Sequence, residues 1–291
     1  MKSNNSYHTT VLLQEAVNAL QIKKAGKYID GTFGGGGHSE EILKRGGVVL
    51  GIDQDIDAIE QSQQVSKNNL KIVKGNFKNI KEIASENDFD PCSGILLDLG
   101  TSVHQIKESQ RGFSFTGHFR LDMRMDLDGS LKAEEIINKW SKNDLAEIFE
   151  KFGEESDARI IAEEISNARK SKEIMFADEL SNLVLKVKKN KQPGIHPATK
   201  VFQALRIVVN DEMNALKDVI EQGALLLEEN GRFVIISFHS LEDRIVKQKF
   251  IELENKGLGR IVNKKPIRAG DEEIRMNKKS RSAKMRIFEK K

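Results

Sequence analysis

The sequence predicts an α/β cofactor-binding domain with a helical insertion, and three observations predict it. Four consecutive glycines, Gly34 to Gly37, stand directly after the hydrophobic run Tyr28-Ile29-Asp30 and directly before a helical pattern. A second apolar run, Val48 to Ile52, ends in an acid, Asp53, at the distance from the loop that an open α/β nucleotide site uses. From Val103 the alternation of strand and helix stops, and a mostly helical stretch of roughly residues 104 to 200 intervenes before strands resume.

Composition bounds the class. Hydrophobic residues at 38% and charged residues at 31% of 291 give a chain that can bury a sizeable core beneath a charged surface, not a disordered one. No stretch is apolar enough to span a bilayer and the polar start lacks a secretory core, so a cytoplasmic protein with no membrane partner is expected. Cys92 is the one cysteine, which excludes an internal disulfide and a multi-thiolate zinc site; no metal site is expected. Net charge is only +3, but from Lys256 onward thirteen Lys/Arg face four acids, which points to a polyanionic partner. The other reading is a solvated tail.

Taken in order, Leu12, Leu13, Ala16 and Leu20 follow a helical period, with Thr10 as its cap and His8 a minor site candidate before it. Lys27 to Asp30 reads as a buried strand; the glycine loop follows, and Ser39 with Glu40 and Glu41 opens a helix as cap and first-turn acids. Asp53 is placed to bind both hydroxyls of a cofactor ribose, or else to cap the helix Asp55 to Ser66. After the strand Leu70 to Lys74, Phe77 is placed to rest against an adenine ring, or in the core. Ser93 to Asp98 reads as a fully buried central strand, and ligands in such sheets lie at strand carboxyl ends, so Asp98 points to the site.

In the insertion, Ser141-x-x-Asp144 predicts a capping box before Leu145, Ile148, Phe149 and Phe152, while Leu180, Leu183, Val184 and Val187 form a second core stripe. A long helical run, Ala198 to Glu228, precedes the strand Gly231 to Ser237; His239 and Ser240 then stand at its end, and Gly259 to Val262 with Lys284 to Phe288 make two closing strands. The acid Asp30 before the glycines is poorly placed to meet a pyrophosphate and well placed to meet an ammonium or sulfonium. That favours S-adenosylmethionine over a dinucleotide.

Six motifs in one order, Tyr28 to Gly34 with Gly36-Gly37-His38-Ser39, Gly94 to Gly100, Arg111 to Phe115, Leu121 to Asp126, His196 to Thr199 and Ile236 to Arg244, resemble the RsmH (MraW) family. The resemblance runs from His8 to the tail. It implies a Rossmann-like S-adenosylmethionine-dependent methyltransferase core, with residues 1–104 and 201–291 as its two parts and 105–200 as an inserted helical substrate-recognition domain. It implies methylation of the exocyclic N4 of a cytidine in the decoding region of 16S ribosomal RNA, within the assembled small subunit. Cofactor contacts implied by the resemblance are Gly36, Gly37, His38, Asp53, Phe77, Asp98 and Gln105. Gly35, Thr101 and Val103-His104 depart from the family's usual residues, as does the tail, which lacks a proline after Asn277.

For catalysis, cytosine N4 shares its lone pair with the ring and needs an acceptor as the methyl arrives; Asp98 is one candidate, with His239 and Ser240 to orient the base. Phe113, Phe115 and Phe238 are candidates to receive an unstacked base, or else packing residues. The tail and the Lys186 to Lys200 region are expected to hold phosphates. Pro91-Cys92 invites a carbon-5 mechanism, but it stands at the wrong end of its strand. The alternative class is a non-catalytic RNA-binding or ribosome-assembly protein retaining the cofactor fold. The sequence leaves the oligomeric state open, a dimer included.

Overall fold

The computed structural model describes residues 10–55, 59, 69–100, 110–188 and 196–291, which divide into two compact units: Met1–Gly100 with Met213–Lys291, and Thr101–Glu212. His8, the helix expected from Asp55 to Ser66, and Gln105 lie outside the described residues, wholly or nearly so.

The first unit is built on a seven-stranded sheet. Its strands are β1 (Lys27–Asp30), β2 (Val48–Asp53), β3 (Leu70–Lys74), β4 (Cys92–Asp98), β5 (Leu227–Ser237), β6 (Gly259–Ile261) and β7 (Lys284–Lys290). They lie in the order β3-β2-β1-β4-β5-β7-β6. The first five pair in parallel; β7 runs antiparallel to both β5 and β6. The two closing strands expected from sequence therefore do pair, with β7 inserted between β5 and β6. The expected α/β class with a helical insert is what the molecule has.

Strand alternation sorts the side chains onto two faces, because successive residues of a strand point oppositely. Ile29, Ile95, Leu97, Phe233 and Ile235 join one buried cluster, with Ile80 and Ala84 from α3 (Ile80–Glu86), Leu216, Val219 and Ile220 from α9 (Glu212–Leu226), and Val246, Phe250 and Leu253 from α10 (Ser240–Asn255). Tyr28, Leu96, Val234 and Ile236, one step along each strand, join the opposite cluster with Ala16, Val17 and Leu20 of α1 (Leu13–Leu20) and Ile42 of α2 (Gly37–Lys44). Helices on both faces explain why the central strands carry almost no polar residue until their carboxyl ends.

The second unit, Thr101–Glu212, has its own core. It contains α4 (Ala133–Lys139), α5 (Lys142–Lys151), α6 (Ala158–Ala168), α7 (Ala177–Val187) and α8 (Thr199–Val209), around Leu145, Phe149, Ile161, Leu180, Val184 and Leu205. Ser141 and Asp144 form the expected capping box at α5. The irregular segment before α4 is held by internal bonds: Arg124 Nε donates to Asp122 at 2.8 Å, and the Arg111 guanidinium donates to the carbonyls of Arg124 and Met125.

Three local expectations are corrected. Thr10 does not cap α1, whose N-cap is Leu12 in the left-handed region with no side-chain cap; the Leu12 N–H instead donates to Glu273 at 2.9 Å. α2 starts at Gly37 with Gly36 as N-cap, so Ser39 lies inside the helix. The run Ala198 to Glu228 is two helices, α8 and α9, broken near Asn210 and Asp211, and β5 begins earlier than expected, at Leu227.

Candidate active site at the strand carboxyl ends

Chain order reverses between β1 and β4: β2 and β3 lie on one side of β1, while β5 and the closing strands lie beyond β4. Ligands of open α/β sheets bind at the carboxyl ends of the strands that flank such a switch point. Here those ends carry Asp30 and Asp98, and Asp53 ends the next strand, β2.

The glycine loop sits above them. Gly34 and Gly36 have positive φ, and the Phe33 ring leaves no room for a Cβ on Gly36, 2.7 Å from where it would lie. Gly37 is constrained differently. A Cβ there would stand 1.9 Å from Thr10 Oγ1, so the chain before α1, rather than a ligand alone, demands this glycine. Thr10, displaced as a cap, thus acquires a packing role.

Asp53 receives the Gly34 N–H at 2.7 Å on Oδ2 and the Asp55 N–H at 2.9 Å on Oδ1, and burial raises it to about 6. Each oxygen keeps a second lone pair, so ribose hydroxyls can still donate to it. Asp30 is buried and also raised to about 6 by burial, opposed by the Ser39 hydroxyl, which donates to Oδ2 at 2.7 Å. The sequence had given Ser39 to the helix terminus; its work is to hold Asp30. Phe77 opens a single 3-10 turn, Phe77–Asn79, after β3, half-buried against the sheet's α3-side cluster.

Asp98 has the most perturbed carboxyl of the three, raised to about 8 by burial and then by the Asp30 charge, with Lys279 opposing. Its N–H donates to Thr32 Oγ1 at 2.6 Å, which fixes the strand end against the glycine loop. Its Oδ1 is fully covered and makes no hydrogen bond among the described residues, although the side chain as a whole is one-fifth exposed. Its Oδ2 lies 4.0 Å from His38 Nδ1. His38 is buried on α2 with Nε2 3.2 Å from the Val11 carbonyl, an acceptor only, so Nε2 carries a proton and Nδ1 is the nitrogen turned to Asp98.

At the end of β5, next to β4, His239 is the N-cap of α10. Its Nδ1 accepts the Glu242 N–H at 3.4 Å while the buried Glu242 carboxylate accepts from the backbone of Phe238 and His239. That is a capping box with histidine in the usual serine place. His239 Nε2, 3.1 Å from Glu242 Oε1 but without hydrogen-bond geometry, is a second buried polar atom with no partner among the described residues. Ser240 is the first residue of α10. The His-x-x-Glu spacing was the signal that could have revealed the cap.

Three carboxylates at adjacent strand ends, with Lys279 the cation that bears on Asp98, make a site suited to a cationic ligand and hostile to a pyrophosphate. A buried carboxylate oxygen with no donor is the group an ammonium or amino N–H would satisfy. The other sequence candidates have packing partners of their own. Phe113 and Phe115 pack against the core of the second unit, Phe115 stacking on His196 at 4.2 Å, and Phe238 packs against the α1-side cluster. Cys92 is buried at the opposite end of β4 from Asp98, roughly 20 Å away at 3.3 Å per residue. Of the lysines expected to hold phosphates, Lys186 pairs with Glu164, Lys188 with the buried Glu155, and Lys200 donates to the Glu154 carbonyl.

The model of the MraW methylase family matches residues 5–291. The chain belongs to this family. Its curated relatives are similar throughout. The ribosomal RNA small subunit methyltransferase H of Acetivibrio thermocellus is 45% identical, over 97% of this chain and 98% of the relative. Those of Ruminiclostridium cellulolyticum and Limosilactobacillus fermentum are 41% and 40% identical over the same shares. As a MraW methylase the chain is an S-adenosylmethionine-dependent methyltransferase. Among the described residues no helix is long and apolar enough to cross a membrane.

Proposed function

We propose that this enzyme transfers the methyl group of S-adenosylmethionine to the exocyclic N4 of a cytidine in small-subunit ribosomal RNA. Full-length family membership supports the reaction, and the covered, unpartnered Asp98 oxygen at the β1/β4 switch point is the observation that carries the site. The finer reading, a cytidine of the 16S decoding region in the assembled small subunit, acted on in the cytoplasm, rests on the motif resemblance. The unit Thr101–Glu212, read from sequence as 105–200, serves substrate recognition in this proposal.

Asp53 would hold the cofactor ribose, Phe77 its adenine, and Asp30 and Asp98 its positive end, with Gly36, Gly37 and His38 forming the close-approach wall. Gln105 joins this set by resemblance. S-adenosylmethionine supplies an electrophilic methyl on a sulfonium. The chain's own contribution is position and a proton acceptor. As N4 forms its new bond it becomes acidic, and Asp98 accepts its hydrogen. A carboxyl raised to about 8 is matched to that task near neutral pH, since a base is most useful when its pKa lies near the working pH. His38 Nδ1 lies 4.0 Å from Oδ2 and lines that side of the carboxyl. His239, positioned by Glu242, offers an Nε2–H at the neighbouring strand end to the base.

Mass spectrometry of nucleosides from small-subunit RNA, with and without this enzyme, tests the reading. N4-methylcytidine dependent on the enzyme is expected, and more from assembled subunits than from naked RNA. Methyl incorporation at carbon 5, or none, sinks it.

A further inference from the structure

The basic tail is two populations. Lys284 and Arg286 hold Asp243 at 3.1 and 2.7 Å, Arg260 joins Arg232 on Glu289, and Lys290 donates to the Ala224 carbonyl, so these cations fasten β7 and β6 to the sheet. Arg275, Lys278 and Arg281 do none of this. All three are exposed, and none is ion-paired among the described residues. Asp271 and Glu272 stand a turn before Arg275 on α11 (Asp271–Met276) without pairing to it.

Their spacing is three residues, twice. Lys278 and Arg281 lie in the 3-10 helix Lys278–Ser282, where residues three apart eclipse on one face at ~2 Å rise per residue. That separates their backbones by ~6 Å, close to the step between successive phosphates of an RNA strand. The opposite face is anchored. Ser280 and Ala283 are buried, Asn277 Oδ1 accepts the Lys279 N–H at 3.2 Å, and Glu273 holds the Leu12 N–H. This anchor reaches the site: Glu273 holds Leu12, the carbonyl of neighbouring Val11 meets His38 Nε2 at 3.2 Å, and His38 Nδ1 lies 4.0 Å from Asp98, whose carboxyl also feels the charge of half-buried Lys279. Met276, 72% exposed, adds apolar surface among the cations.

We propose that Arg275, at the end of α11, and Lys278 and Arg281, on the 3-10 helix that follows, form a phosphate-binding row for the RNA strand that carries the target nucleotide, on the side of the unit where Asp98 lies. This rests on the reaction proposed above. A strand gripped on the outer face has its next nucleotides at the strand-end acids, where the reaction occurs.

The test is salt-dependent binding of small-subunit ribosomal RNA by the full chain carrying R275Q/K278Q/R281Q, against K264Q/K265Q/R268Q, which removes the same charge from exposed tail positions. Three lost single-strand phosphate contacts should flatten the plot of log affinity against log salt by ~2, with each single K278Q or R281Q removing ~0.7. The control triple should leave the slope within ~0.5 of the parent. S-adenosylmethionine binding, measured by calorimetry, should be unchanged in both, which certifies folding. Equal flattening by the two triples, or none by either, overturns the row. A parent chain that binds this RNA without salt dependence, or fails to methylate it, overturns the underlying reaction instead.

Discussion

Two sets of acids in the same unit behave oppositely. Asp243 and Glu289 are each gripped by two cations, Lys284 with Arg286 and Arg260 with Arg232, which hold both carboxyls below their usual range against the opposing effect of burial. Asp30 and Asp53 lean instead on a hydroxyl and backbone N–H groups, Asp98 keeps a covered oxygen with no hydrogen bond among the described residues, and burial raises all three. The first set shows that this sheet can supply cations to its carboxylates where structure needs them. At the strand ends no Lys or Arg is ion-paired with the carboxylates among the described residues, and the Lys279 charge only partly offsets burial at Asp98. A ligand's positive charge is therefore expected at the strand ends, because a buried carboxylate without an ion-paired cation gains most from one that arrives.

The sharpest way to break that contrast is Asp98→Ala. Removing the covered oxygen and its acceptor role should lower methyl transfer by ~10³-fold while thermal stability holds or rises. Labelled-cofactor transfer measured beside calorimetric unfolding checks both halves. Full transfer by this variant would take Asp98 out of the reaction.

Glu289→Gln does the reverse, attacking the gripped set. It leaves Arg232 and Arg260 facing a neutral amide at the β5/β7 seam, and breaking a buried ion pair of this kind costs ~3 kcal/mol. Denaturant unfolding should register that loss while cofactor affinity stays within a factor of two or so of the parent. A variant as stable as the parent would mean the strap contributes nothing.

How far the sequence spoke divides along the same line. Strand, glycine loop, strand and acid were readable because each is a local pattern, and Asp53 and Asp98 stand where that pattern put them. The grip on Asp243 and Glu289 was not. Arg232 and Glu289 are 57 residues apart and meet only because β7 inserts antiparallel beside β5, a pairing no local period encodes. Without it, every tail cation looked available to a polyanion. Gly37 makes the same point in miniature: it is a member of a readable loop, but its requirement comes from Thr10 through tertiary packing. For His239 the sequence suggested chemistry and left unread its structural place as the N-cap of α10.

pH separates the two sets by a smaller effect. A carboxyl raised in the folded state binds its proton more tightly there than when unfolded, so its stabilising contribution is full below the unfolded value near 4 and is lost as pH rises through the folded value. Asp98 therefore predicts that the ligand-free enzyme loses ~1–2 kcal/mol between about pH 6.5 and 8.5. The gripped acids, whose values are lowered, finish ionising far below this window, and His196, lowered by burial, acts only below it. Asp98→Asn should flatten the profile. An unchanged slope in that variant would assign it to another group.

The smallest effect tests the site's location. Cys92 begins β4 at the edge opposite Asp98, is wholly buried, and has its thiol pushed up to about 12 by burial, so no thiolate is present near neutrality. A carbon-5 mechanism would need that thiolate as nucleophile beside the base. Cys92→Ala removes one sulfur from the cluster that Ile95 and Leu227 also fill, costing ~1 kcal/mol by loss of contacts. Transfer at saturating substrate should match the parent, and the methyl should remain on N4. Loss of transfer with stability intact would move the chemistry from the carboxyl ends of the strands to the opposite end of β4.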